Sequence, residues 1–296
     1  MRATLLHNKR AGTRPDAHPK KELIKLLRGA GYKVDYQSTR KPGMRQALQD
    51  PGDLIVIAGG DGAVGNVLRC LERRDVPVLL LPLGSANNIA TSLGVSGTPA
   101  AIVNGLQRAV SRRLDMGVAR SAGGDRQFVE SAGLGLFAEF LKLAAAEEDS
   151  SSPTNHLELG LQLFHQLASR ARSRRCRINV DGNALSGRYL LAMAFNTGRV
   201  GPGLALAPKA EPGDGKLDLL LIGESQRGTL RQYLSELRRG ATPEFPFPLT
   251  RARRIRMSWA VGAGHLDDRV WPNGELARQG MVTLEVAGPP FEVLVP

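Results

Sequence analysis

Short apolar segments alternate with amphipathic segments through the first third of the chain. Residues 53–60 (DLIVIAGG) and 76–84 (VPVLLLPLG) are apolar almost without interruption, which is typical of parallel strands buried on both faces. Around them, apolar residues recur at helical spacing. This alternation predicts a doubly wound α/β domain whose ligands bind at the carboxyl ends of the strands. The predicted strands are 3–8, 33–39, 53–60 and 76–84, and the predicted helices are 20–31, 44–50, 63–74, 85–94 and 100–110.

The pattern changes near residue 112, where short strand-like segments replace the strand–helix rhythm. They predict a β-rich second domain, antiparallel and sandwich-like, with helical insertions. Residues 147–155 (EEDSSSPTN) predict a polar loop between two of the helices. The predicted helices are 134–148, 156–171 and 226–240, and the predicted strands are 112–120, 126–133, 176–182, 189–198, 203–210, 216–223, 254–259, 281–288 and 291–296.

The composition of the chain restricts its expected cellular location. The 296 residues are 42% hydrophobic, but no run approaches the roughly 18 apolar residues of a membrane span, and no secretory signal is visible. Two cysteines cannot form a disulfide framework. We therefore expect a soluble protein in the cytoplasm.

The net charge of +12 indicates an anionic partner: nucleic acid, phosphorylated metabolites or an anionic lipid surface. The excess is concentrated in the arginine-rich runs 169–177, 238–240 and 251–256, which are alternatively solvated faces. Few aromatic residues are interleaved with these runs, and no zinc-finger or recognition-helix pattern is visible. We therefore expect no nucleic-acid partner.

A glycine-rich turn, Gly59-Gly60-Asp61-Gly62, follows the apolar strand 53–60 and precedes a helix. Glycines let a polyphosphate approach the main chain, and the helix N-terminus favours negative charge. Asp61 makes chemical sense there through a Mg²⁺ ion that bridges it to phosphate. The alternative is a structural turn in which Asp61 caps the helix.

Two more polar turns follow predicted strands of the same sheet. The segment 82–94 (PLGSANNIATSLG) starts its turn at Gly84, and the segment 7–14 (HNKRAGTR) follows the first strand. Because the carboxyl ends of parallel strands meet at one edge, the three turns are expected to form one crevice. The polar residues beside the Gly84 turn are Ser85, Asn87 and Asn88.

On these motifs the chain resembles the diacylglycerol kinase catalytic family of soluble bacterial lipid kinases, relatives of sphingosine and ceramide kinases. The resemblance runs nearly from end to end. GGDG alone is shared with NAD kinases and phosphofructokinases, but its pairing with GSANNIA and the late GDGKLD is specific. The matching segments are 59–62 (GGDG), 82–94, 114–119 (LDMGVA), 130–140 (ESAGLGLFAEF), 206–222 (LAPKAEPGDGKLDLLLI), 273–275 (NGE) and 293–296 (VLVP).

The resemblance implies an ATP-binding domain at 1–115, joined by the C-terminal strand at about 288–296, and a lipid-substrate domain at 116–287. Asp61 would lie near Mg²⁺, and the DGKLD turn would hold a structural Mg²⁺ through Asp214 and the carbonyl of Leu217. The residues implied to contact ATP or its phosphates are Asn8, Gly12, Gly59, Gly60, Asp61, Gly62, Gly84, Ser85, Asn87 and Asn88.

The chain departs from the family pattern at three positions. Ala63 stands where a threonine usually follows GGDG, and Asn88 stands where the family often has aspartate. The late Asp-Gly-Glu motif, whose aspartate would take the hydroxyl proton, reads Asn273-Gly274-Glu275 here. Asparagine cannot act as that base.

Two candidates for the base lie just upstream, Asp267 and Asp268 in HLDD. The distance to the C-terminus favours Asn273 as the family match, whereas the chemistry requires a carboxylate. We therefore predict Asp267 or Asp268 as the base, with Glu275 also in the catalytic set.

The sequence thus predicts an ATP- and Mg²⁺-dependent kinase that phosphorylates a hydroxyl of a lipid such as diacylglycerol. Its basic runs would attach it peripherally to the anionic inner face of the membrane, and a homodimer is compatible with the chain. The alternatives are a kinase of a soluble substrate, as in NAD kinases, and a non-catalytic family member that binds nucleotide or lipid. The helix 226–240 either lies on the membrane interface or packs its leucines into the second domain.

Overall fold

The computed structural model describes residues 1–11, 18–40, 43–148, 156–259, 263–271 and 281–296. The chain divides into two compact units, residues 1–115 with 288–296 and residues 116–287. The strands are β1 (Arg2–His7), β2 (Lys33–Ser38), β3 (Leu54–Gly59), β4 (Val78–Pro82), β5 (Val110–Leu114), β6 (Gly117–Ser121), β7 (Gly124–Phe128), β8 (Ser131–Gly135), β9 (Arg174–Val180), β10 (Asn183–Ala184), β11 (Gly187–Phe195), β12 (Leu217–Gly223), β13 (Leu249–Ala252), β14 (Arg254–Trp259), β15 (Gly264–Leu266), β16 (Arg269–Trp271), β17 (Val282–Val286) and β18 (Phe291–Val295). The helices are α1 (Lys20–Gly29), α2 (Gly43–Ala47), α3 (Asp61–Cys70), α4 (Asn88–Ser92), α5 (Pro99–Gly105), α6 (Leu136–Glu148), α7 (His156–Arg170) and α8 (Arg227–Arg238).

The first unit is built on a six-stranded sheet in the order β2-β1-β3-β4-β18-β5. The strands from β2 to β18 run parallel, and β5 pairs antiparallel with β18. Every residue of β3 is buried, whereas the edge strands β2 and β5 are largely exposed or half-buried. The apolar runs therefore form the middle of the sheet, as their composition predicts. The order reverses between β1 and β3, which is the position where doubly wound sheets bind ligands.

The second unit is an antiparallel sheet of twelve strands. Its main path runs β16-β15-β8-β11-β9-β14-β17-β6-β7, while β12 pairs with β11 and β13. One apolar cluster joins α6, α7 and α8 to β11 and β12, and a second lies among the strands themselves. The predicted fold class, a parallel α/β domain followed by an antiparallel β-rich one, is confirmed.

Three predicted strands differ from the structure. The predicted strand 126–133 is interrupted at residues 129–130 and contributes to both β7 and β8. Residues 203–210 form turns with one isolated bridge between Val200 and Leu204, because Gly203 takes a φ of 77° that breaks an extended run. The alternation there reflects Leu204 and Leu206, which are fully buried beneath the helices. The predicted strand 112–120 is divided between β5 of the first sheet and β6 of the second.

Helix α8 packs its apolar side into the second unit: Leu230, Tyr233 and Leu234 are buried, and the Tyr233 hydroxyl donates to the Ala205 carbonyl at 2.7 Å. Packing is thus the role of these side chains, one of the two alternatives open from the sequence. Over the ranges that the structure describes, no helix has the length and apolarity needed to span a membrane. The predicted polar loop lies outside the described residues over 149–155.

The close packing of Gly133 against strand β11 of the second sheet can be tested by substitution. A Cβ added there would lie 2.5 Å from the Ala192 carbonyl oxygen and 2.7 Å from the Met193 Cα, both of which are backbone atoms. We expect Gly133→Ala to lower the free energy of unfolding by about 3 kcal/mol through overpacking. Urea unfolding followed by tryptophan fluorescence measures this, because both tryptophans, Trp259 and Trp271, are in the second unit.

The control is Gly228→Ala in α8, where an added Cβ meets nothing within 4 Å. Alanine lowers the backbone entropy of the unfolded chain, so this variant should be unchanged or more stable by up to about 1 kcal/mol. Equal stability of the two variants would contradict the packing at Gly133.

Candidate functional site

The turns that follow β3 and β4 are pressed together in the first unit. A Cβ added to Gly60 would lie 2.9 Å from the Gly84 Cα, and one added to Gly84 would lie 2.5 Å from the Gly60 Cα. Such distances are impossible for real side chains, so both positions require glycine. The sequence-based prediction explained these glycines by the approach of phosphate to the main chain. The contact between the two loops is a second physical reason for them, and it was not predicted.

The Asp61 carboxylate ties the same two turns by hydrogen bonds. Its Oδ2 accepts from the Asn88 amide and its Oδ1 from the Ile89 amide, both at 2.9 Å. Those amides begin α4, so Asp61 caps a neighbouring helix, although its own position is the first residue of α3. A carboxylate at a helix N-terminus also interacts favourably with the helix dipole. The sequence left open that Asp61 caps the helix that follows it, which is α3. In the structure its carboxylate caps α4 instead.

Asn87 fixes the shape of the second turn. It adopts a left-handed backbone with a φ of 50°, its Oδ1 accepts from the Gly84 amide at 2.8 Å, and its Nδ2 donates to the Gly84 carbonyl at 2.7 Å. Ser85, next to this clamp, is exposed, whereas the Asn88 side chain is buried. Within this segment, Ser85 has the most accessible side-chain group for a ligand.

Asn8 follows β1 and lies beside the glycine-rich turn. Its backbone amide donates to the Ala58 carbonyl at 2.9 Å, and a Cβ added to Gly59 would lie 3.4 Å from the Asn8 Cβ. Ala63 is buried, and its Cβ would lie 2.6 Å from that added atom, so a small residue at 59 is required beside it. The structure brings together Asn8, Gly59, Gly60, Asp61, Gly84, Ser85, Asn87 and Asn88, with Gly62 in the first turn of α3.

This donor set fits an ATP-bound Mg²⁺ in one respect. Mg²⁺ prefers hard oxygen ligands and in nucleotide sites is held by one or two carboxylates together with phosphates. Asp61 supplies one such carboxylate beside a helix N-terminus, where phosphates bind well. Gly12 lies outside the described residues, so its predicted role stays a prediction.

In the second unit, Asp267 occupies the two-residue turn between β15 and β16 and has a φ of 53°. Its Oδ1 accepts from the amides of Val129, Glu130 and Ser131 at 2.8, 2.7 and 3.4 Å. The adjacent Asp268 has a side chain that is 62% exposed, with Arg269 3.8 Å away. The two candidate bases thus differ sharply: Asp267 is buried and oriented, whereas Asp268 is at the surface.

The segment that Asp267 holds carries buried polar residues that the sequence reading did not single out. Asn196 clamps it from the other side, donating through Nδ2 to the Val129 carbonyl at 2.7 Å and through its amide to the Glu130 carbonyl at 2.8 Å. The Glu130 side chain is itself buried. The sequence feature that could have pointed to Glu130 and Asn196 is that each is a polar residue at the end of an apolar segment. Asn273, Gly274 and Glu275 lie outside the described residues.

His265, two residues before Asp267, is a core residue. It has no exposed surface, its ring centroid lies 4.8 Å from that of Phe137, and its Nε2 is 3.4 Å from the Ser131 hydroxyl. Burial lowers its pKa to about 3, so the imidazole is neutral at physiological pH.

At the DGKLD turn, the two oxygens of Asp214 already have partners. Oδ1 accepts from the Lys216 amide at 2.9 Å, and Oδ2 lies 3.3 Å from Nε of Arg251. Asp218 and Glu211 also approach this guanidinium, at 3.8 and 3.7 Å. Burial raises the pKa of Asp218, and Arg251 opposes that rise.

A cation at this turn would compete with the Arg251 guanidinium, and Leu217 faces Ala252 in the β12–β13 pair, one step from the Asp218–Arg251 pair. The residues as placed do not fit a structural Mg²⁺. Within the described ranges, no group of three or more His, Cys, Asp or Glu side chains is arranged to hold a metal ion. The metal at Asp214 and Leu217 stays a prediction that this geometry does not support.

Comparison with known proteins assigns both units. Residues 2–119 match the diacylglycerol kinase catalytic domain, and residues 142–287 match the YegS C-terminal NAD kinase beta sandwich-like domain. The two matches together define a kinase with two domains. Residues 2–119 belong to the diacylglycerol kinase catalytic domain family, which confirms the resemblance identified from the sequence motifs.

Individual relatives agree with this assignment. A Pseudomonas fluorescens protein named "Probable lipid kinase YegS-like" is 29% identical over 225 residues, covering 72% of this chain and 71% of the relative. A diacylglycerol kinase of Bacillus subtilis is 25% identical over 234 residues, covering 75% and 73%. The crystal structure of a diacylglycerol kinase from Bacillus anthracis shares the fold with a TM-score of 0.74 at 18% identity, covering 100% and 97%. Yeast NADH kinase shares it more distantly, with a TM-score of 0.55 at 11% identity, covering 100% and 84%.

Burial of His265 predicts a pH dependence of stability. Because its folded pKa of about 3 is below the ordinary histidine value of 6.5, the unfolded state takes up the proton first as the pH falls. The free energy of unfolding should therefore drop below pH 6.5, by about 1.4 kcal/mol per pH unit from this residue. His265→Gln should remove that part of the slope in urea unfolding followed by tryptophan fluorescence. His18→Gln in the first unit is the control, and a slope that His265→Gln leaves intact would refute the assignment.

The position of Arg251 among three carboxylates predicts that its guanidinium stabilises the DGKLD turn. Arg251→Ala should lower the free energy of unfolding by about 1–3 kcal/mol, because the buried Asp218 loses its counter-charge. Arg253→Ala is a matched control, since among the described residues its bonds are limited to that of its backbone amide to Asp181, which alanine keeps. Addition of EDTA to the unsubstituted protein should leave the unfolding midpoint unchanged. A midpoint that falls with EDTA would restore the structural metal.

Proposed function

We propose that this protein transfers the γ-phosphoryl group of ATP, with Mg²⁺, to the hydroxyl of a membrane lipid such as diacylglycerol. Membership of the diacylglycerol kinase catalytic family supports a kinase. The observation that carries the proposal is the Asp61 carboxylate, which joins the turns after β3 and β4 at the carboxyl edge of a doubly wound sheet. Phosphoryl transfer depends mostly on such positioning and on charge neutralisation.

The first unit is proposed to hold ATP. The N-terminus of α3 lies at the Gly59–Gly62 turn, where the helix favours negative charge, and exposed Ser85 adds a hydroxyl donor. Asn87 and the Gly60–Gly84 contact keep both turns in shape without a ligand, which lowers the entropy cost of binding. Bound Mg²⁺, held through Asp61, would neutralise charge on the phosphates.

The second unit is proposed to bind the lipid and to supply the base. Of the two aspartates, Asp267 is preferred because three amides hold its carboxylate in one orientation, whereas Asp268 is exposed. Its role would be to accept or orient the proton of the attacking hydroxyl. Glu275 stays a candidate from the sequence alone.

The test is transfer of labelled γ-phosphate from ATP to lipids dispersed in neutral detergent micelles, with diacylglycerol, monoacylglycerol, ceramide and phosphatidylglycerol as acceptors. Asp61→Asn and Asp267→Asn should each reduce kcat at least about a hundredfold, since one loses the metal-binding carboxylate and the other the base. Asp268→Asn is the control and should keep full activity. Thermal unfolding of each variant checks that the loss is not one of folding.

Parallel assays with NAD and NADH as acceptors separate the alternatives. Labelled NAD or NADH with no labelled lipid would select a kinase of a soluble acceptor, and NADH kinase is the name of the distant yeast neighbour. ATP binding without transfer to any acceptor would select a non-catalytic member and would refute the proposal. Full activity in Asp267→Asn would remove Asp267 from the proposed base role.

A further inference from the structure

One face of the second sheet carries a concentration of arginines. Cys176, Ile178, Ile255 and Met257 point into the core, so the residues between them on β9 and β14 point outward. The register places these outward residues side by side, with Arg256 opposite Asn179. We call this surface the arginine face, and its members are Arg175, Arg177, Arg253, Arg254 and Arg256, all exposed.

The arginine face contains a cleft of about 770 Å³ that Arg253, Arg254 and Arg256 line together with Asp181 and Glu285. The Asp181 carboxylate is occupied by the backbone amides of Arg253 and Arg254, at 3.0 and 2.8 Å. The Glu285 carboxylate lies between two guanidinium groups, at 2.7 Å from Arg120 and 3.0 Å from Arg254, and the hydrogen bond from Arg120 lowers its pKa, an effect to which Arg254 adds. The two acids of the cleft are thus committed to fixed partners.

The remaining arginines are not neutralised by the part of the chain that the structure describes. Arg175, Arg177, Arg253 and Arg256 form no ion pair with any described residue. Arg175 even lies directly opposite Arg188 in the β9–β11 pair, and like charges in such a pair destabilise a sheet. Structural stability therefore gives no reason for this arrangement, whereas attraction of an external anion does.

We propose that the arginine face docks this protein on the phosphate groups of an anionic phospholipid membrane. The inference rests on the proposed function, because a lipid acceptor lies in a membrane, and it identifies the surface that reaches it. The described residues that line the cleft include no aromatic side chain on which bases could stack, which favours lipid phosphates over single-stranded nucleic acid. Helix α8, the other basic segment of this unit, has its apolar side buried in the core and offers no insertion surface.

The test measures sedimentation of the full chain with vesicles of phosphatidylcholine alone and of phosphatidylcholine mixed with phosphatidylglycerol. The variant combines Arg177→Ser, Arg253→Ser and Arg256→Ser, and the matched control combines Arg28→Ser, Arg45→Ser and Arg108→Ser, exposed arginines of the first unit. We expect the variant to bind the anionic vesicles on the order of a hundredfold more weakly, since each basic residue near such a surface contributes about fivefold. The control should lose much less, and neutral vesicles should bind none of the three proteins.

Kinase activity in neutral detergent micelles keeps this inference separate from the proposed function. The variant should retain that activity, because none of its three positions is in the proposed catalytic set. No transfer by the unsubstituted protein would refute the proposed function, whereas equal vesicle binding by variant and control would refute the docking surface. Binding to duplex DNA that the variant loses, without binding to anionic vesicles, would also overturn it in favour of a nucleic-acid surface.

Discussion

The hydrogen bonds from the Asn88 and Ile89 amides to the Asp61 carboxylate are the constraint on which the first unit's candidate site depends. Helix α4 has five residues, too few to be stable alone. Its position is set by this external cap and by the contact of Gly60 with Gly84, at which no side chain fits. One aspartate and two glycines therefore join the ends of β3 and β4 into a single rigid edge. A motif that looks from its sequence like a ligand cradle is also a piece of packing, and the two roles reinforce each other because a preformed cradle loses little entropy on binding.

The second unit uses the same device with different partners. Asp267 gathers the amides of residues 129–131, and Asn196 holds the carbonyls of the same segment. Hydrogen bonds to a charged acceptor contribute about 1.5–3 kcal/mol each, more than neutral ones. In both units a carboxylate that chemistry would require for phosphoryl transfer is oriented by main-chain amides, which move less than side chains. At Asp267 all three amides donate to one oxygen, so an asparagine there can still accept them and separates chemistry from folding. At Asp61 the two amides donate to different oxygens, so an asparagine keeps only one of those hydrogen bonds, and the thermal unfolding of that variant has to be measured beside its activity.

The sequence was sufficient to predict those features that depend on residues close to one another along the chain. Continuous apolar runs predicted the buried strands β3 and β4, and the glycine-rich turns predicted which strand ends carry polar groups. It was insufficient where partners are distant: Asp267 contacts amides 136 to 138 residues away, and no spacing rule reveals that pairing. Glu130 and Asn196 were missed for the same reason. The prediction of a strand at 203–210 was wrong for a different reason. Leu204 and Leu206 alternate as in a strand, but they belong to turns and are buried by the helices that pack over them.

The arginine run 251–256 shows why charge read from sequence alone does not separate stability from binding. Arg251 lies against Asp214, Asp218 and Glu211, so it compensates buried negative charge inside the unit. Arg254 is shared between Glu285 and solvent. Arg253 and Arg256, one and two positions away from Arg254, form no ion pair with described residues and face a cleft with Asn179. The break between β13 and β14 divides one basic segment into a structural cation on β13 and an outward-facing surface that starts at Arg253, and this outward-facing set is the one placed to attract anions. The net charge of +12 already subtracts the carboxylates with which some of these arginines pair, so the number alone does not say where an anionic membrane would be attracted. The position of the arginines without an ion pair among the described residues does.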